Sequence, residues 1–536
     1  MSSPDSFDYV IVGAGSAGSV LANRLSEDAS VTVLLLEAGG EDSDPRHAMP
    51  WSLLPLLAGE FNWGYLSVEQ KHLGKPVGVP RGRGYGGSSS VNANVYLRGN
   101  PDDYERWRSV FGAEGWGWDD VLPYFLRAEG NGRLDGPLHN ADGPLRVEDP
   151  VYTHPLVRDW VRSAEARGLA PNDDFNGVSQ MGTGLYQSTI RDGRRWSAAD
   201  AYLRPALSRP NLTVRPHSLV TRVLLEKGRA VGVSYRGAAA DEVTVRAQSE
   251  VVLSGGSINS PQLLMLSGIG PAAHLQEHGI GVLVDLPGVG SNLQDHPAVP
   301  HIVYVDAPTV PELVSDPSAL KLFQEERRGP FASAFAEAGG FLSTTGDAGI
   351  PDVQFMAGAT VLGEGLPALT GPAFTNVTVV LKPRSRGTVR LRSSSPVDHP
   401  DINFALYDDP RDLEVMVAGL REAVEISQTG PFHLHTVGSL IPDAEDTGED
   451  SLRAAVRRWT QTTYHPTSTC AMGTDDQAVV DPSLRVRGVE GLRVVDASVM
   501  PEVTRANTNG PTIMIAEKAA DLIRGAARGR TPSRQD

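Results

Sequence analysis

Residues 7–37 read FDYVIVGAGSAGSVLANRLSEDASVTVLLLE, and this stretch decides the fold of the N-terminal part of the chain. The run FDYVIV is short and nearly continuously apolar, which is typical of a buried parallel strand. Gly13, Gly15 and Gly18 follow in the G-x-G-x-x-G spacing, apolar residues then recur at helical intervals, and a second apolar run ends at Glu37. A strand, a glycine turn, a helix and a second strand in this order predict a Rossmann-like dinucleotide-binding domain.

Each part of this unit has a physical task. Gly13 permits the tight turn, Gly15 lets the backbone approach a pyrophosphate, and Gly18 lets the helix and strand pack closely. The helix N-terminus presents N–H groups and a positive dipole end to phosphates. A carboxylate at Glu37 can accept hydrogen bonds from both ribose hydroxyls and disfavours a 2′-phosphate, so NADP is not expected. A glycine triplet alone would fit a simple tight turn, but the ordered unit favours the dinucleotide site.

The next part of the chain, residues 39–100, is a long irregular stretch rich in Gly, Pro and Trp rather than a run of alternating strands and helices. It contains PRGRGYGGSSSVNANVYLRG at 80–99, whose flexible backbone and small side chains suit contact with a large flat ligand. Loops of this length in compact proteins tend to be functional. A flexible surface loop is the alternative, but the apolar residues Val91, Val95 and Leu97 need burial.

Length and composition narrow the class of protein. The 536 residues predict two to four domains. The net charge of -17 argues against nucleic acid as a partner, since phosphate binding needs a basic face. The single cysteine, Cys470, excludes an intramolecular disulfide, fits a reducing compartment and is interpreted as a small buried hydrophobe. Because neither a secretory signal nor a run of about 18 apolar residues is present, we expect a cytoplasmic protein without a transmembrane segment.

Essentially end to end, the chain resembles the glucose–methanol–choline (GMC) oxidoreductases, flavoenzymes that oxidise alcohols. GAGSAG with Glu37 is similar to the family's FAD-binding motif. RGYGGSSSVNANVYLRG (83–99) resembles its first signature, although Tyr85 stands where the family prefers an aliphatic residue, and GGSINSPQLLMLSGIGP (255–271) resembles its second. Three further stretches are similar to the family: PGVGSNLQDHP (287–297), KPRSRGTVRL (382–391) and VVDPSLRVRGVEGLRVVDASVMP (479–501).

The resemblance implies FAD as the cofactor. It places around FAD a set of residues from both ends and the middle of the chain: Gly13, Gly15, Ser16, Ala17, Gly18, Glu37, Ala38, Arg83, Gly87, Ser88, Asn92, Ala93, Asn94, Val95, Val220, Ser254, Gly255, Tyr464, Asp496, Ala497, Asn507 and Thr508. In some choline-oxidising relatives a histidine of the first signature is bonded to the flavin. The aligned position here is Val91, so we expect noncovalent FAD, and His72 lies outside the motif. A helix cap is the alternative role for Asp496.

The resemblance also implies the catalytic residues. His465, in HPTSTCAMG, matches the family's catalytic histidine. Alcohol oxidation sends a hydride to flavin N5 and needs a base for the hydroxyl proton, and the pKa of histidine suits that task. Asn509 falls where the family places its second catalytic residue, and its amide would hydrogen-bond the substrate oxygen. Asn507 is the alternative residue near the site. Outside this context, a histidine before proline is often only a turn residue.

The positions of these motifs predict an α/β (α+β overall) chain of two domains. A discontinuous FAD-binding domain takes residues 1–155, 195–305 and 460–536, and a substrate domain built on an antiparallel sheet flanked by helices takes 156–194 and 306–459. Local patterns predict a hairpin over 211–237 that turns at Lys227–Gly228, a strand–turn–strand over 375–393, an amphipathic helix over 408–428, a final helix over 510–527 and a loose tail over 531–536.

The predicted activity is oxidation of a primary, uncharged or aryl alcohol to the aldehyde, with oxygen or another electron acceptor. A choline site would need a carboxylate or an aromatic cage. Glu337 is a candidate, although a solvated or salt-bridged carboxylate fits better, and Phe355 and Met356 fit an apolar pocket or ordinary core equally. A hydroxynitrile lyase, which keeps FAD without net redox chemistry, is the alternative of another class. The oligomeric state is open, and no metal is predicted because four histidines are scattered without ligand spacing: His296, His301, His399 and His433.

Overall fold

Two seven-stranded sheets organise the computed structural model, which describes residues 5–530 except 238, 240, 348, 364 and 444–447. The first sheet runs from edge to edge as Leu212–Arg215, Val33–Leu36, Ser6–Val12, Glu242–Leu253, Arg229–Arg236 and Leu219–Glu226, with Leu492–Val494 also paired to Glu242–Leu253. Its strands are parallel from Leu212–Arg215 through Glu242–Leu253, and Leu492–Val494 is parallel as well, whereas Arg229–Arg236 and Leu219–Glu226 pair antiparallel. The predicted dinucleotide-binding unit is therefore confirmed as a strand–turn–helix–strand unit in a mainly parallel sheet.

The predicted hairpin forms the antiparallel edge of the first sheet. Leu219–Glu226 pairs with Arg229–Arg236, and Lys227 and Gly228 make the turn with φ of 50° and 81°. Positive φ at both central residues is the geometry that matches the twist of two adjoining strands.

The second sheet is antiparallel throughout. Its strands run Thr436–Ile441, Pro297–Val305, Ala373–Val380, Val353–Gly358, Ala338–Leu342 and Gly182–Leu185, with Gln461–Thr462 also paired to Pro297–Val305. Two strands of this sheet come from segments that the sequence analysis gave to the FAD-binding domain, Pro297–Val305 and Gln461–Thr462. The domain boundaries at 305 and 460 therefore differ from the sheet boundaries.

The two strands predicted over 375–393 both form, but they do not pair with each other. Ala373–Val380 lies inside the second sheet, whereas Thr388–Arg390 pairs with Asp401–Asn403 in a separate two-stranded sheet. The intervening Lys382 and Pro383 carry the chain from one sheet to the other, which alternation alone does not reveal. The remaining two-stranded sheets join Tyr65–Leu66 to Gly78–Val79, Glu129–Asn131 to Leu145–Val147, Ile190–Arg191 to Arg194–Arg195, and Ile269–Gly270 to Val284–Asp285.

Helices cover both sheets. The longer ones span Ser16–Leu25, Pro101–Phe111, Trp118–Ala128, Pro155–Ala166, Gly256–Leu266, Pro317–Glu326, Pro410–Ser427, Glu449–Trp459 and Asn509–Arg530. Short helical segments span Pro45–Ala48, Pro50–Ser52, Leu53–Leu57, Gly87–Ser90, Ala199–Leu203, Arg204–Ala206, Ala272–Glu277, Val310–Val314, Pro330–Ala332, Gly430–His433 and Ala497–Val499. Within the described residues no helix has the length and apolar content needed to cross a membrane.

Two predicted helices are confirmed, and each packs against one sheet or its neighbours. Pro410–Ser427 begins at Asp409, whose side chain accepts from the Arg411 N–H, and lies so close to the second sheet that a Cβ at Gly419 would sit 2.7 Å from Thr378 Cγ2. The C-terminal helix is tied to the first helix by an ion pair of 2.8 Å between Glu517 and Arg24. The tail over 531–536 lies outside the described residues.

Candidate active site

A glycine turn opens one end of a cavity of about 410 Å³ that reaches from the first sheet to the second. The helix after the first strand begins at Ser16, directly behind this turn. A Cβ at Gly18 would lie 1.8 Å from the Gly13 carbonyl oxygen, so that position is closed to any side chain. A Cβ at Gly15 would meet no atom within 4 Å, because Gly15 faces the cavity. The turn therefore leaves room for a ligand at the helix N-terminus, where backbone N–H groups favour phosphate.

Glu37 lies at the same end of the cavity and is buried. One carboxylate oxygen accepts the Ala14 N–H at 2.8 Å, and the other accepts the N–H groups of Gly39 at 2.8 Å and Gly84 at 3.0 Å. Burial raises the pKa of Glu37, while the three N–H donors oppose that shift. A carboxylate has about four lone-pair positions, so a single further hydroxyl fits most readily, rather than the two that the sequence suggested.

The wall of the cavity contains polar atoms that need a partner. Among the described residues, Ser254 Oγ and Asn94 Oδ1 are buried on this wall without a hydrogen-bond partner. Buried polar side chains in native proteins are nearly always bonded, so unpaired ones at a cavity point to a bound ligand. Together with the open Gly15 and the buried Glu37, they fit a dinucleotide such as FAD.

Most of the residues predicted to contact the cofactor line this cavity. Gly18 and Arg83 do not. Gly18 packs behind the turn, and the Arg83 guanidinium lies over the Trp63 ring, 5.2 Å from its centroid. Asp496 lies on the wall and accepts the Gly256 and Ser498 N–H groups, each at 2.8 Å, so the cap role is confirmed there.

His465 lies at the opposite end of the cavity and is 9% exposed. Its backbone N–H donates to Asp295 Oδ1 at 2.9 Å, and its ring Nδ1 lies 3.0 Å from Nδ1 of His296. Its other ring nitrogen, Nε2, lies 3.2 Å from Nδ2 of Asn507. The ring is thus held on one side and presents Nε2 beside an amide donor.

The structure brings Asn507, not Asn509, to His465. The Asn509 Oδ1 accepts a hydrogen bond from the Ser16 hydroxyl at 2.7 Å, at the start of the helix behind the glycine turn. Asn507 also accepts the Gln354 Nε2–H at its Oδ1, at 3.3 Å, which leaves Nδ2 on the His465 side. Asn509 also lines the cavity and opens the C-terminal helix, so its predicted pairing with His465 stays a prediction, with Asn507 as the asparagine that contacts the ring.

Charge at this end of the cavity favours a neutral histidine. Burial lowers the pKa of His465 well below its usual range, and His296 and Arg81 lower it further. The Arg81 guanidinium donates to the Tyr464 carbonyl at 2.6 Å. Burial raises the pKa of Asp295 to about 7, against the opposing hydrogen bond from the His465 N–H. The His465 imidazole is therefore unprotonated at neutral pH.

The wall beside Asn507 is apolar and comes largely from the second sheet. Met356 and Val377 lie opposite each other on neighbouring strands, and both line the cavity. Gln354, which bonds Asn507, is two residues from Met356 and so shares its face of the strand. The other apolar residues of the wall that flank this end are Leu53, Leu57, Phe335, Ala336, Val361 and Leu362. Phe355 points away into the core, where it is fully buried.

Acidic side chains are sparse on this wall. Among the described residues that line the cavity, the acidic ones are Glu37 and Asp496, and both accept hydrogen bonds from backbone N–H groups. Glu337 is 1% exposed and lies off the cavity wall, where its carboxylate accepts the Ser333 hydroxyl and the His154 N–H. It is therefore neither a cation partner in the cavity nor the solvated or salt-bridged carboxylate of the alternative.

The geometry agrees with comparisons with known proteins. Residues 7–298 and 383–516 match the two family profiles described as GMC oxidoreductase. The chain is a GMC oxidoreductase. It is 41% identical over 527 residues to an alcohol dehydrogenase [acceptor] of Pseudomonas putida, which covers 96% of this chain and 95% of that protein.

Two further proteins are similar to this GMC oxidoreductase over nearly the whole chain. An oxygen-dependent choline dehydrogenase of Rhizobium etli is 41% identical over 532 residues, 97% of this chain and 95% of that protein. The crystal structure of pyridoxine 4-oxidase from Mesorbium loti matches with a TM-score of 0.89 and 32% identity, over 97% of this chain and 99% of the other. The predicted fold class, FAD as cofactor and an oxidoreductase acting on CH–OH groups are confirmed by this family membership.

Several neighbours of the site in this GMC oxidoreductase escaped sequence reasoning. His296 was grouped with scattered histidines, although it stands in the NLQDHP stretch that resembles the family, and that motif was the available signal. Arg81 lies in the loop over 80–99 and Asp295 in the stretch over 287–297, but neither was predicted to lie at the site. His72 lies away from the cavity, 2.9 Å from Asp408, and Cys470 is buried, which raises the pKa of its thiol. Within the described residues no group of three His, Cys, Asp or Glu side chains could hold a metal ion.

Proposed function

We propose that this GMC oxidoreductase oxidises an uncharged primary alcohol, aliphatic or aryl, to the aldehyde, with His465 as the base and Asn507 as the donor to the substrate oxygen. The observation that carries the proposal is the 3.2 Å separation of His465 Nε2 and Asn507 Nδ2 at the cavity wall. A substrate hydroxyl within hydrogen-bond distance of both atoms would replace their direct contact, give its proton to the first and accept a hydrogen bond from the second.

The positions of His465 Nε2 and Asn507 Nδ2 indicate which group would take the hydroxyl proton and which would hold the substrate oxygen. When bound, FAD supplies a two-electron acceptor for the hydrogen that leaves the alcohol carbon with its electron pair. The hydroxyl proton passes to Nε2 of His465, whose lowered pKa keeps it unprotonated before the substrate arrives. The Asn507 amide holds the oxygen as negative charge develops on it, and it acts as a donor because an amide cannot serve as a base.

The residues proposed to hold FAD are those of the cavity wall on the first-sheet side. Gly15 and Ser16 would face the pyrophosphate, Glu37 a ribose hydroxyl, and Ser254 and Asn94 would find partners on the cofactor. Val91 lines the cavity and carries no group that can bond covalently to a flavin, which supports noncovalent FAD. We retain the two-domain division as a proposal, with Pro297–Val305 moved to the substrate domain.

The apolar wall supports an uncharged substrate. A quaternary ammonium needs a carboxylate or an aromatic cage, and both acidic residues of the described cavity wall already accept backbone N–H groups. Choline remains the second candidate, because a relative at 41% identity is named a choline dehydrogenase. An anaerobic panel that contains benzyl alcohol, a straight-chain alcohol and choline separates the two candidates, since only a substrate bleaches the flavin absorbance.

The same panel tests the lyase alternative. A hydroxynitrile lyase would release aldehyde and cyanide from a cyanohydrin while the flavin stays oxidised, whereas an alcohol oxidoreductase bleaches with its alcohol. Parallel turnover with oxygen and with an artificial acceptor then identifies the electron acceptor. The predicted cytoplasmic location is retained as a proposal that fractionation of the source cells tests.

The base is tested by replacing His465 with alanine. Flavin reduction should slow by about 10²-fold or more while FAD stays bound. His72→Ala, at a partly exposed histidine that does not line the cavity, is the matched control. Unchanged flavin reduction in His465→Ala would contradict the proposed role.

A further inference from the structure

We infer that His296 is a positioning residue that fixes His465 in the tautomer with Nδ1 protonated and Nε2 free, which rests on the proposed function of His465 as base. The two Nδ1 atoms are 3.0 Å apart and the ring planes are nearly perpendicular, at 86°. Two nitrogens at this distance share one proton, so one ring donates and the other accepts.

The direction of that hydrogen bond is set at the far side of His296. Its Nε2 lies 3.0 Å from the Thr504 carbonyl oxygen. A carbonyl oxygen can only accept, so the proton between these atoms belongs to Nε2 of His296. A neutral His296 that carries its proton on Nε2 has a lone pair on Nδ1, and this lone pair faces His465.

His296 stays neutral because of its surroundings. Its side chain is fully buried, and burial lowers the pKa of His296 to about 4, with a further lowering from Lys382 that exceeds the opposing effect of Asp103. A doubly protonated His296 is therefore disfavoured near neutral pH. His465 must then supply the proton between the two Nδ1 atoms, which leaves its own Nε2 unprotonated.

The Thr463 hydroxyl supports the same direction of hydrogen bonding, with Nδ1 of His465 as the donor. Thr463 Oγ1 lies 2.9 Å from Nδ1 of His465 and 3.3 Å from the His296 carbonyl oxygen. The hydroxyl has one proton, and donating it to the carbonyl leaves its lone pairs to accept from the Nδ1–H of His465. The reverse polarity at Thr463 would leave the His296 carbonyl without this donor.

The hydrogen bonds on the cavity side agree. Asn507 presents Nδ2 to Nε2 of His465 because its Oδ1 accepts from Gln354. An amide N–H donates to a lone pair, not to another N–H, so Nε2 must be the unprotonated nitrogen. The hydrogen bonds therefore share one consistent set of directions. The Asn507 amide donates to Nε2 of His465, the Nδ1–H of His465 donates to Nδ1 of His296, and the Nε2–H of His296 donates to the Thr504 carbonyl.

The consequence concerns the base itself. A neutral imidazole without such partners takes either tautomer, and the one with Nε2 protonated cannot accept the alcohol proton at the cavity. An enzyme whose histidine takes the wrong tautomer keeps its geometry but loses rate. His296 thus acts through His465 without touching the substrate.

Two substitutions at His296 separate its two hydrogen bonds. In His296→Gln the amide N–H reaches the position of Nε2 and keeps the Thr504 contact, while the acceptor that faces His465 is lost. In His296→Asn the amide oxygen occupies the position of Nδ1 and keeps that acceptor, while the Thr504 contact is lost. His296→Asn removes one methylene more than His296→Gln does, so any loss of packing is larger in the variant that is expected to keep the rate.

The test uses the FAD-loaded enzyme and two readouts. Nitrogen-15 NMR of histidine-labelled protein, with His465 assigned by His465→Gln, should show a protonated Nδ1 in the wild type and in His296→Asn. In His296→Gln the Nε2-protonated form should appear. Flavin reduction should fall roughly 10- to 100-fold in His296→Gln and clearly less in His296→Asn, which is the range known for partners that orient functional histidines.

The outcomes are distinguishable from failure of the proposed function. A wild-type spectrum with Nε2 of His465 protonated would overturn the inference, as would equal tautomers and equal rates in the two variants. If His465→Gln itself reduces flavin at the wild-type rate, the proposed function fails whatever the His296 variants do. If His465→Gln is slow while both His296 variants match the wild type, the function stands and the inference falls.

Discussion

The Nδ2 atom of Asn507 lies 3.2 Å from Nε2 of His465, and the helix that follows begins two residues later. The pair joins a loop before the C-terminal helix to the segment after Gln461–Thr462, so residues 42 positions apart share one end of the cavity. Asn509 makes a different contact, because its Oδ1 accepts from the Ser16 hydroxyl at 2.7 Å.

Replacing Asn507 with alanine is expected to slow flavin reduction by roughly 10²-fold, because a donor to the developing negative oxygen is lost. Asn509→Ala is the matched control and should instead weaken FAD retention, since it frees Ser16 at the glycine turn. Stopped-flow reduction and flavin content after gel filtration measure the two effects. Equal slowing of reduction in both FAD-loaded variants would contradict this assignment.

Alanine substitutions at Gly15 and Gly18 should have different effects, the first on FAD binding and the second on folding. Gly15→Ala should fold, because its Cβ meets no protein atom within 4 Å, but it should bind FAD poorly because the methyl group enters the cavity. Gly18→Ala should fail to fold, because its Cβ would lie 1.8 Å from the Gly13 carbonyl oxygen. Soluble yield, circular dichroism and flavin content distinguish the variants, and a Gly15→Ala protein that purifies fully yellow would disagree with the placement of FAD.

The lowered pKa of His465 predicts activity on the acid side of neutrality. The base must be unprotonated, and its protonated fraction grows only as the pH falls through its own lowered pKa. Flavin reduction should therefore remain near its plateau at pH 6.5, the ordinary pKa of histidine. Stopped-flow rates between pH 5 and 9 check this, with His465→Gln as the control that lacks the titrating base. A half-maximal rate at or above pH 6.5 would contradict a buried neutral base.

Glu337 predicts a pH dependence of stability. Burial raises its pKa from 4.5 to about 7, so the unfolded chain loses this proton at lower pH than the native protein does. The associated stability is complete below pH 4.5 and is lost as the pH rises towards 7, at about 1.4 kcal/mol per pH unit. Glu337→Gln should remove this loss, because its amide can accept from the His154 N–H and donate to Ser333.

Urea unfolding of the wild type and Glu337→Gln between pH 4.5 and 8 measures the difference. The variant should gain roughly 3 kcal/mol relative to the wild type across that range. Glu60→Gln, at an exposed carboxylate, is the control that should leave the pH profile unchanged. Parallel profiles for the wild type and Glu337→Gln would show that Glu337 titrates normally.

Local sequence patterns were sufficient to predict parts of the first sheet and one long helix that packs on the second. The glycine turn, the hairpin at Lys227–Gly228 and the helix behind Asp409 each depend on neighbours in the chain, and each forms where it was predicted. No sheet could be predicted for Pro297–Val305, because its partners, Ala373–Val380 and Thr436–Ile441, are distant in sequence. Alternation identifies a strand but does not name its partner.

The site was harder to predict for the same reason. His296 and His465 are 169 residues apart, and no local pattern brings their rings together. Asn507 and Asn509 are separated by a single residue, so motif alignment alone could not decide between them. The structure adds that Asn509 opens the helix and bonds Ser16, whereas Asn507 contacts His465.

The facing pair Met356 and Val377 belongs to the second sheet, while the hydrogen bonds that orient the His465 ring come from His296 and Thr463. Under the proposed function, substrate choice and proton chemistry would depend on different residues. A protein engineer could randomise the two wall positions to accept bulkier or smaller alcohols and leave the chemistry of the base intact.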